Sequence, residues 1–329
     1  MSFQDIKGQD RPIQIIKEHL RQSRLSRAYL FTGPEGIGKR LVAKTLAKVV
    51  NCQEGSIDSC DKCASCLKID KNAHPDVHCI DTQDSDSIKI EYIRNLQREI
   101  NLKPYEARLK VFIIDNAHSL TAEAENSILK VLEEPPANSL IILVSAKPML
   151  LFKTIISRCQ TIKFYSLAKA RLEEILKKDY SLGDTLAHFL AYFCEGRLGE
   201  CLRLKDTDII QEKNRIIDAL SGLEKSGLDS ITIQDRKQIR YYLNILAGWF
   251  RDIYLVKTGL IHQELINLDR KKELLRLMQN FSFSGLDEIF NSITSALSYL
   301  EQNVNIKLLL LTLREEISYG TQRTTVNSY

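Results

Sequence analysis

A short apolar run, Ala28-Tyr29-Leu30-Phe31-Thr32, passes into Gly33-Pro34-Glu35-Gly36-Ile37-Gly38-Lys39, and behind it Leu41, Val42, Leu46, Val49 and Val50 recur at helical spacing. A buried strand, a glycine-rich turn and an amphipathic helix in that order belong to a wound α/β layer. The turn follows G-x-x-x-x-G-K-[ST]. In that pattern glycines let backbone N–H groups wrap a polyphosphate, the lysine reaches the β- and γ-phosphates, and the last hydroxyl holds Mg²⁺. Gly33, Gly36, Gly38 and Lys39 are candidate nucleotide contacts, yet Arg40 stands where the hydroxyl belongs. A guanidinium has five donors and no acceptor, so it cannot ligate Mg²⁺.

Two further apolar runs predict buried strands, Lys110-Val111-Phe112-Ile113-Ile114 ending at Asp115, and Ser139-Leu140-Ile141-Ile142-Leu143-Val144-Ser145. Between them Thr121 is the expected cap of a helix with Glu123 and Glu125 in its first turn and Ile128, Leu129 and Leu132 facing inward, stopped by Pro135-Pro136. In phosphate-loop ATPases the strand-end aspartate helps hold Mg²⁺ and a following glutamate polarises water. Asp115 is present, but Asn116 follows it, and an amide is no general base. Another carboxylate, Glu123 for example, is the alternative source of such a base.

Residues 1–165 read as the α/β domain. After Ser166 the pattern turns helical: a helix capped by Ser166 and running to about Lys178, another from Asp184 to Glu195 ended by Gly196, then about five amphipathic helices between Asp206 and Tyr319. This divides the chain into 1–165, 166–205 and 206–329. Tyr242, Ile245, Leu246, Trp249, Phe250 and Ile253 form an apolar stripe that reads as core. Gly320–Tyr329 is polar and expected to fray.

Cys52, Cys60, Cys63 and Cys66 follow a C-x7-C-x2-C-x2-C spacing just after the loop's helix. Thiolates so spaced can close a tetrahedral, structural Zn²⁺ site, which would organise residues 52–66, a stretch with few apolar side chains of its own. Cys79, Cys159, Cys194 and Cys201 lie in apolar runs and read as buried small hydrophobes, and His74 and His78 as loop residues. Eight cysteines behind a polar, acidic N-terminal stretch with no signal-peptide pattern suggest a reducing compartment. A net charge of +4 permits nucleic-acid contact without demanding it, and no apolar run reaches membrane-spanning length.

Together these pieces resemble the AAA+ clamp-loader subunits of bacterial replicases. The resemblance rests on Phe3-x-Asp5-Ile6-x-Gly8-Gln9, Ala28-Tyr29-Leu30-Phe31 before the loop, the four cysteines and His74-Pro75-Asp76. It continues through Asn126-Ser127-Ile128-Leu129-Lys130-Val131-Leu132-Glu133-Glu134-Pro135-Pro136, Ser157-Arg158-Cys159 after a helical segment Met149–Ile156, and Asn303-Val304-Asn305. It is strong over most of residues 1–165 and extends beyond them in layout. It implies an AAA+ domain with a zinc module, a helical lid over 166–205 and a helical collar over 206–329. The family's gamma/tau motors carry Thr at the position of Arg40, Glu at that of Asn116 and a lid arginine where Gly199 stands, with Arg197 two residues out of register. These departures point to the delta-prime branch. Its members are regarded as stationary and lend the arginine of Ser-Arg-Cys, here Arg158, to a neighbouring motor's ATP site.

The resemblance further implies a cytoplasmic heteropentamer of delta, gamma/tau and delta-prime subunits that loads the sliding clamp on primer–template DNA. The intact glycines, Lys39 and Asp115 leave ATP or ADP binding without hydrolysis open. Two other functions compete: a self-sufficient ATPase of motor type, and a zinc-dependent DNA-binding module. Against the last, Lys62, Lys68 and Lys71 are offset by Glu54, Asp58, Asp61 and Asp70, so the segment is no basic patch.

Overall fold

The computed structural model describes residues 1–82, 87–221, 236–259, 264–300, 311–313 and 315. They fall into two compact units, residues 1–167 with 197–200, and 168–196 with 201–329.

The first unit is built on a five-stranded sheet in the order β2-β3-β4-β1-β5. Its strands are β1 (Ala28–Thr32), β2 (Val77–Ile80), β3 (Lys110–Ile114), β4 (Ser139–Ser145) and β5 (Gln160–Lys163), and every pairing is parallel. The helices are α1 (Asp10–Arg21), α2 (Lys39–Asn51), α3 (Ala64–Asp70), α4 (Ile90–Ile100), α5 (Ala122–Glu133) and α6 (Lys153–Arg158). Both faces of the sheet are covered, which is why the central strands are apolar throughout rather than alternating. Tyr29, Phe31, Val111, Ile113 and Ile142 pack on one face with Val42 and Leu46 of α2. Leu30, Phe112, Ile114, Ile141 and Leu143 pack on the other with Ile93 and Leu96 of α4 and Ile128 of α5.

Strands β1, β3 and β4 coincide with the three apolar runs. The edge strands β2 and β5 carry no such signal. In β5 only Ile162 is buried, and no residue of β2 is fully so, because an edge strand packs against one neighbour. His78 therefore lies in a strand, stacked on Phe112 at 4.8 Å, and His74 is buried, its Nδ1 accepting the Asp76 N–H at 3.1 Å; neither is an ordinary loop residue. Cys79 is exposed and Cys159 half-buried, while Cys194 and Cys201 are buried as expected. Thr121 caps α5 through its Oγ1, which accepts the Ala124 N–H at 3.3 Å. Leu129 is only half-buried and Val131 takes its place inside. The expected helix over Met149–Ile156 is split: Pro148–Leu150 form a 3₁₀ turn, and α6 carries Ser157 and Arg158 in its own last turn.

The second unit contains α7 (Lys169–Tyr180), α8 (Asp184–Phe193), most of α9 (Leu198–Leu204), α10 (Ile209–Ser221), α11 (Arg236–Lys257), α12 (Lys271–Leu277) and α13 (Phe283–Leu300). No described residue beyond β5 is in a strand. Helix α7 starts three residues after the expected cap at Ser166, with Ala168 as its cap; the Leu167 side chain fills the space that a Cβ at Gly8 would take. Helix α8 stops two residues early, since Glu195 and Gly196 both take positive φ, 52° and 79°. The whole predicted stripe of α11, from Tyr242 to Ile253, is buried. Asp252 on that helix is fully buried and accepts the backbone N–H groups of Ile266 and Asn267 at 3.1 and 2.7 Å, which anchors the 265–267 segment. The expected landmark Asn303-Val304-Asn305 and the tail Gly320–Tyr329 lie outside the described residues.

Candidate functional site

A parallel sheet places the carboxyl ends of all its strands along one edge, where ligands of such folds bind. The loop between β1 and α2 opens on this edge. Gly33, Gly36 and Gly38 take φ of 142°, 76° and 95°, a region that L side chains avoid. A Cβ at Gly33 would sit 2.4 Å from the Phe164 carbonyl oxygen, whereas one at Gly38 would meet nothing within 4 Å. The open side of Gly38 faces a cavity of about 460 Å³ whose walls include Gly36, Lys39, Arg40, Asp115 and Asn116.

Two cations at the start of α2 are folded onto partners of the chain itself. The buried Lys39 donates from Nζ to the carbonyl oxygens of Gly33 and Pro34 at 2.6 and 2.5 Å. Burial lowers its pKa to about 8 against the opposing pull of Asp115 and Glu35. Arg40 donates from Nη1 to Oδ2 of Asp81 at 3.1 Å and to Oδ2 of Asp115 at 3.2 Å. The residue that displaced the metal-binding hydroxyl thus also engages the strand-end carboxylate. Asp81 was not legible in the sequence; it follows β2 as Asp115 follows β3, and β2 itself was unrecognised. Asn116 takes a left-handed φ of 51°, which asparagine tolerates better than most residues, and donates its N–H to Asp115 Oδ1 at 3.0 Å. Glu123 does not line the cavity. Gly199 donates its N–H to the Gly36 carbonyl at 2.7 Å, and a Cβ there would stand 2.7 Å from the same oxygen.

The four predicted cysteines converge, with their sulfurs all within 4.8 Å of one another. A tetrahedral zinc with Zn–S of about 2.3 Å has S–S edges of about 3.8 Å, so the cluster could hold such an ion with little closure. Local structure arranges it. Cys52 caps the C-terminus of α2, and Cys63 caps the N-terminus of α3. The Cys63 N–H donates to Cys60 Sγ at 3.3 Å, and the Cys66 N–H to Cys63 Sγ at 3.5 Å. Burial pushes the Cys63 thiol up, but the Cys66 and Gln53 N–H donors and the neighbouring cysteines outweigh it and bring it to about 6. Lys48 of α2 ties the module down from a buried position, with Nζ 2.5 Å from Asp61 Oδ1 and 2.7 Å from Asp70 Oδ2. Burial alone would raise the Asp61 pKa, yet Lys48 and its other donors hold it at about 2.

Arg158 is not brought to the cavity. It ends α6 on the surface, where Nη2 donates to Glu133 Oε1 at 2.7 Å and Nη1 to the Thr154 carbonyl at 3.0 Å. The His74-Pro75-Asp76 motif has a structural task that the sequence did not disclose. Asp76, 1% exposed, accepts the backbone N–H groups of Tyr105, Glu106 and Ala107 at 2.8, 2.9 and 2.9 Å.

Residues 8–168 match the family model described as DNA polymerase III, delta subunit, and residues 210–314 match its C-terminal counterpart. Over 317 residues the chain is 32% identical to the DNA polymerase III subunit delta-prime of Bacillus subtilis, covering 92% of this chain and 94% of that protein. It is 30% identical over 286 residues to subunit tau of the same organism, covering 78% of this chain but only 50% of tau. A gamma-subunit-related protein from Thermotoga maritima shares the fold at a TM-score of 0.51 and 16% identity, over 95% of this chain and 99% of that one. Sheet order, phosphate loop and helical C-terminal unit define an AAA+ type P-loop protein. The chain belongs to the delta-prime/gamma/tau family of DNA polymerase III clamp-loader subunits. Among the described residues no helix is long and apolar enough to cross a membrane.

Proposed function

We propose that this chain is the stationary, non-hydrolysing subunit of a bacterial clamp loader and that it lends Arg158 to the ATP site of an adjacent gamma/tau motor. The observation that carries this reading is the Arg40–Asp115 ion pair at 3.2 Å: a guanidinium holds the carboxylate that a motor would use for Mg²⁺. Asn116 supplies no base beside it, and Arg158 is absent from the walls of the chain's own cavity. The Arg158 guanidinium lies at the surface at the end of α6, paired with Glu133, a partner it would exchange for a phosphoryl group on another chain. Delivered across an interface, such an arginine is worth about 10³–10⁵ in rate at the site it serves, or roughly 4–7 kcal/mol.

In this reading the four cysteines hold a structural zinc. Residues 166–205 serve as lid and 206–329 as the collar joining a heteropentamer with delta and gamma/tau. The assembly works in the cytoplasm at the replisome, opening the sliding clamp and closing it on primer–template DNA. The test is the DNA-stimulated ATPase of the reconstituted complex carrying Arg158→Ala. One motor site should fall silent, which lowers the total by its share if sites fire independently and by more if they are coupled. An unchanged rate rejects the finger, and brisk turnover by the isolated chain rejects the stationary role.

A further inference from the structure

The cations of the phosphate loop suggest what the degenerate site can still accept. We propose that Arg40 is the built-in cation of this site: it takes the place of Mg²⁺ between Asp81 and Asp115, so that the cavity binds a nucleoside diphosphate without a divalent ion. The proposal rests on the reading of the site as non-hydrolysing.

Magnesium needs near-octahedral oxygen ligands at about 2.0–2.1 Å. The two carboxylates at this edge, Asp81 and Asp115, each already accept from Arg40 Nη1 through Oδ2. The loop hydroxyl that would complete the coordination is absent. A doubly charged ion placed here would also lie beside a fixed positive guanidinium. Arg40 performs the ion's other electrostatic task, because it neutralises strand-end carboxylates that would otherwise repel a phosphate.

The rest of the cradle is intact. Gly38, Lys39 and Arg40, at the start of the 13-residue α2, line the cavity, where a helix N-terminus favours a phosphate. Lys39 is buried against two neutral carbonyls, and a phosphate oxygen is a stronger partner for an ammonium than either. A diphosphate suits this arrangement better than a triphosphate. In hydrolysing sites the metal bridges the β- and γ-oxygens; here no ion meets the added charge of a γ-phosphate, and Glu35 lines the same cavity.

The experiment is calorimetric titration of the purified full-length chain with ADP, once in excess EDTA and once in excess Mg²⁺. The wild-type chain should bind with the same Kd in both, within about twofold, and metal-free ATP about tenfold more weakly than ADP. Arg40→Thr should lose about tenfold for ADP in EDTA and regain it with Mg²⁺, while Arg40→Lys, which keeps the charge, should stay metal-independent. Far-UV circular dichroism confirms that each variant is folded. No ADP binding by the folded wild-type chain overturns the proposal. So does wild-type binding that tightens tenfold with Mg²⁺, or an Arg40→Thr variant indistinguishable from wild type. None of these outcomes bears on Arg158, whose role is read separately from the ATPase of the assembled complex.

Discussion

Replacing Asp76 with Ala should loosen the first unit by about 3–4 kcal/mol. In the native chain a carboxylate that is 1% exposed accepts three backbone N–H groups in succession, from Tyr105, Glu106 and Ala107, at 2.8–2.9 Å. Hydrogen bonds to a charged acceptor contribute about 1.5–3 kcal/mol each, and a shared acceptor makes them less than additive. Water can reach part of the freed segment, since Tyr105 is 85% exposed, which limits the loss further. Asp76→Asn keeps one acceptor oxygen and should cost about half as much.

Burial pushes the Asp76 pKa up, but the three N–H donors and Lys110 pull harder, and the net shift is below 3.8. A carboxyl lowered on folding stabilises fully above its unfolded pKa and loses that contribution as pH falls through the folded one. The wild-type chain should therefore lose stability below about pH 3.8 faster than Asp76→Asn does. The single tryptophan, Trp249, lies on α11 in the other unit, so its fluorescence is the wrong probe. Hydrogen exchange at residues 105–107, with far-UV denaturation curves, reads the right place. Exchange of those amides should accelerate about 100-fold in Asp76→Ala. Unchanged exchange together with a loss below about 0.5 kcal/mol would show that the cradle contributes nothing and refute the reasoning.

Treating the chain with a strong chelator should release the four-cysteine module from α2. The purified chain should contain one zinc per molecule by elemental analysis. A strong chelator or Cys66→Ser should lower the melting temperature and expose residues 52–70 to proteolysis, and a metal-free chain with unchanged melting would remove zinc from the account. Gly33→Ala should destabilise by about 2–4 kcal/mol, because a Cβ would press on a backbone oxygen 2.4 Å away and φ is 142°. Gly38→Ala, strained in φ but sterically open, should cost less in the same denaturation assay.

What could be read before folding was whatever is written locally. Strands β1, β3 and β4 are runs of apolar residues because both faces of a parallel sheet are buried, and each run alone reports that. The glycine spacing, Arg40 at the hydroxyl position, Asn116 after Asp115 and the x2 spacing of the cysteines are likewise adjacent in the chain. The edge strands escaped notice because one packed side leaves no periodic imprint over four residues.

The partners were decided elsewhere. Arg40 meets Asp81 and Asp115 across 41 and 75 residues, and Asp76 meets its three amides across about 30. Lys48 meets the cysteine module only once α2 and α3 have packed. No spacing rule encodes these meetings. The Arg40 contacts follow from a parallel sheet that sets the carboxyl ends of its strands along one edge, and those of Asp76 from the opposite edge, where the chain enters β2 and β3.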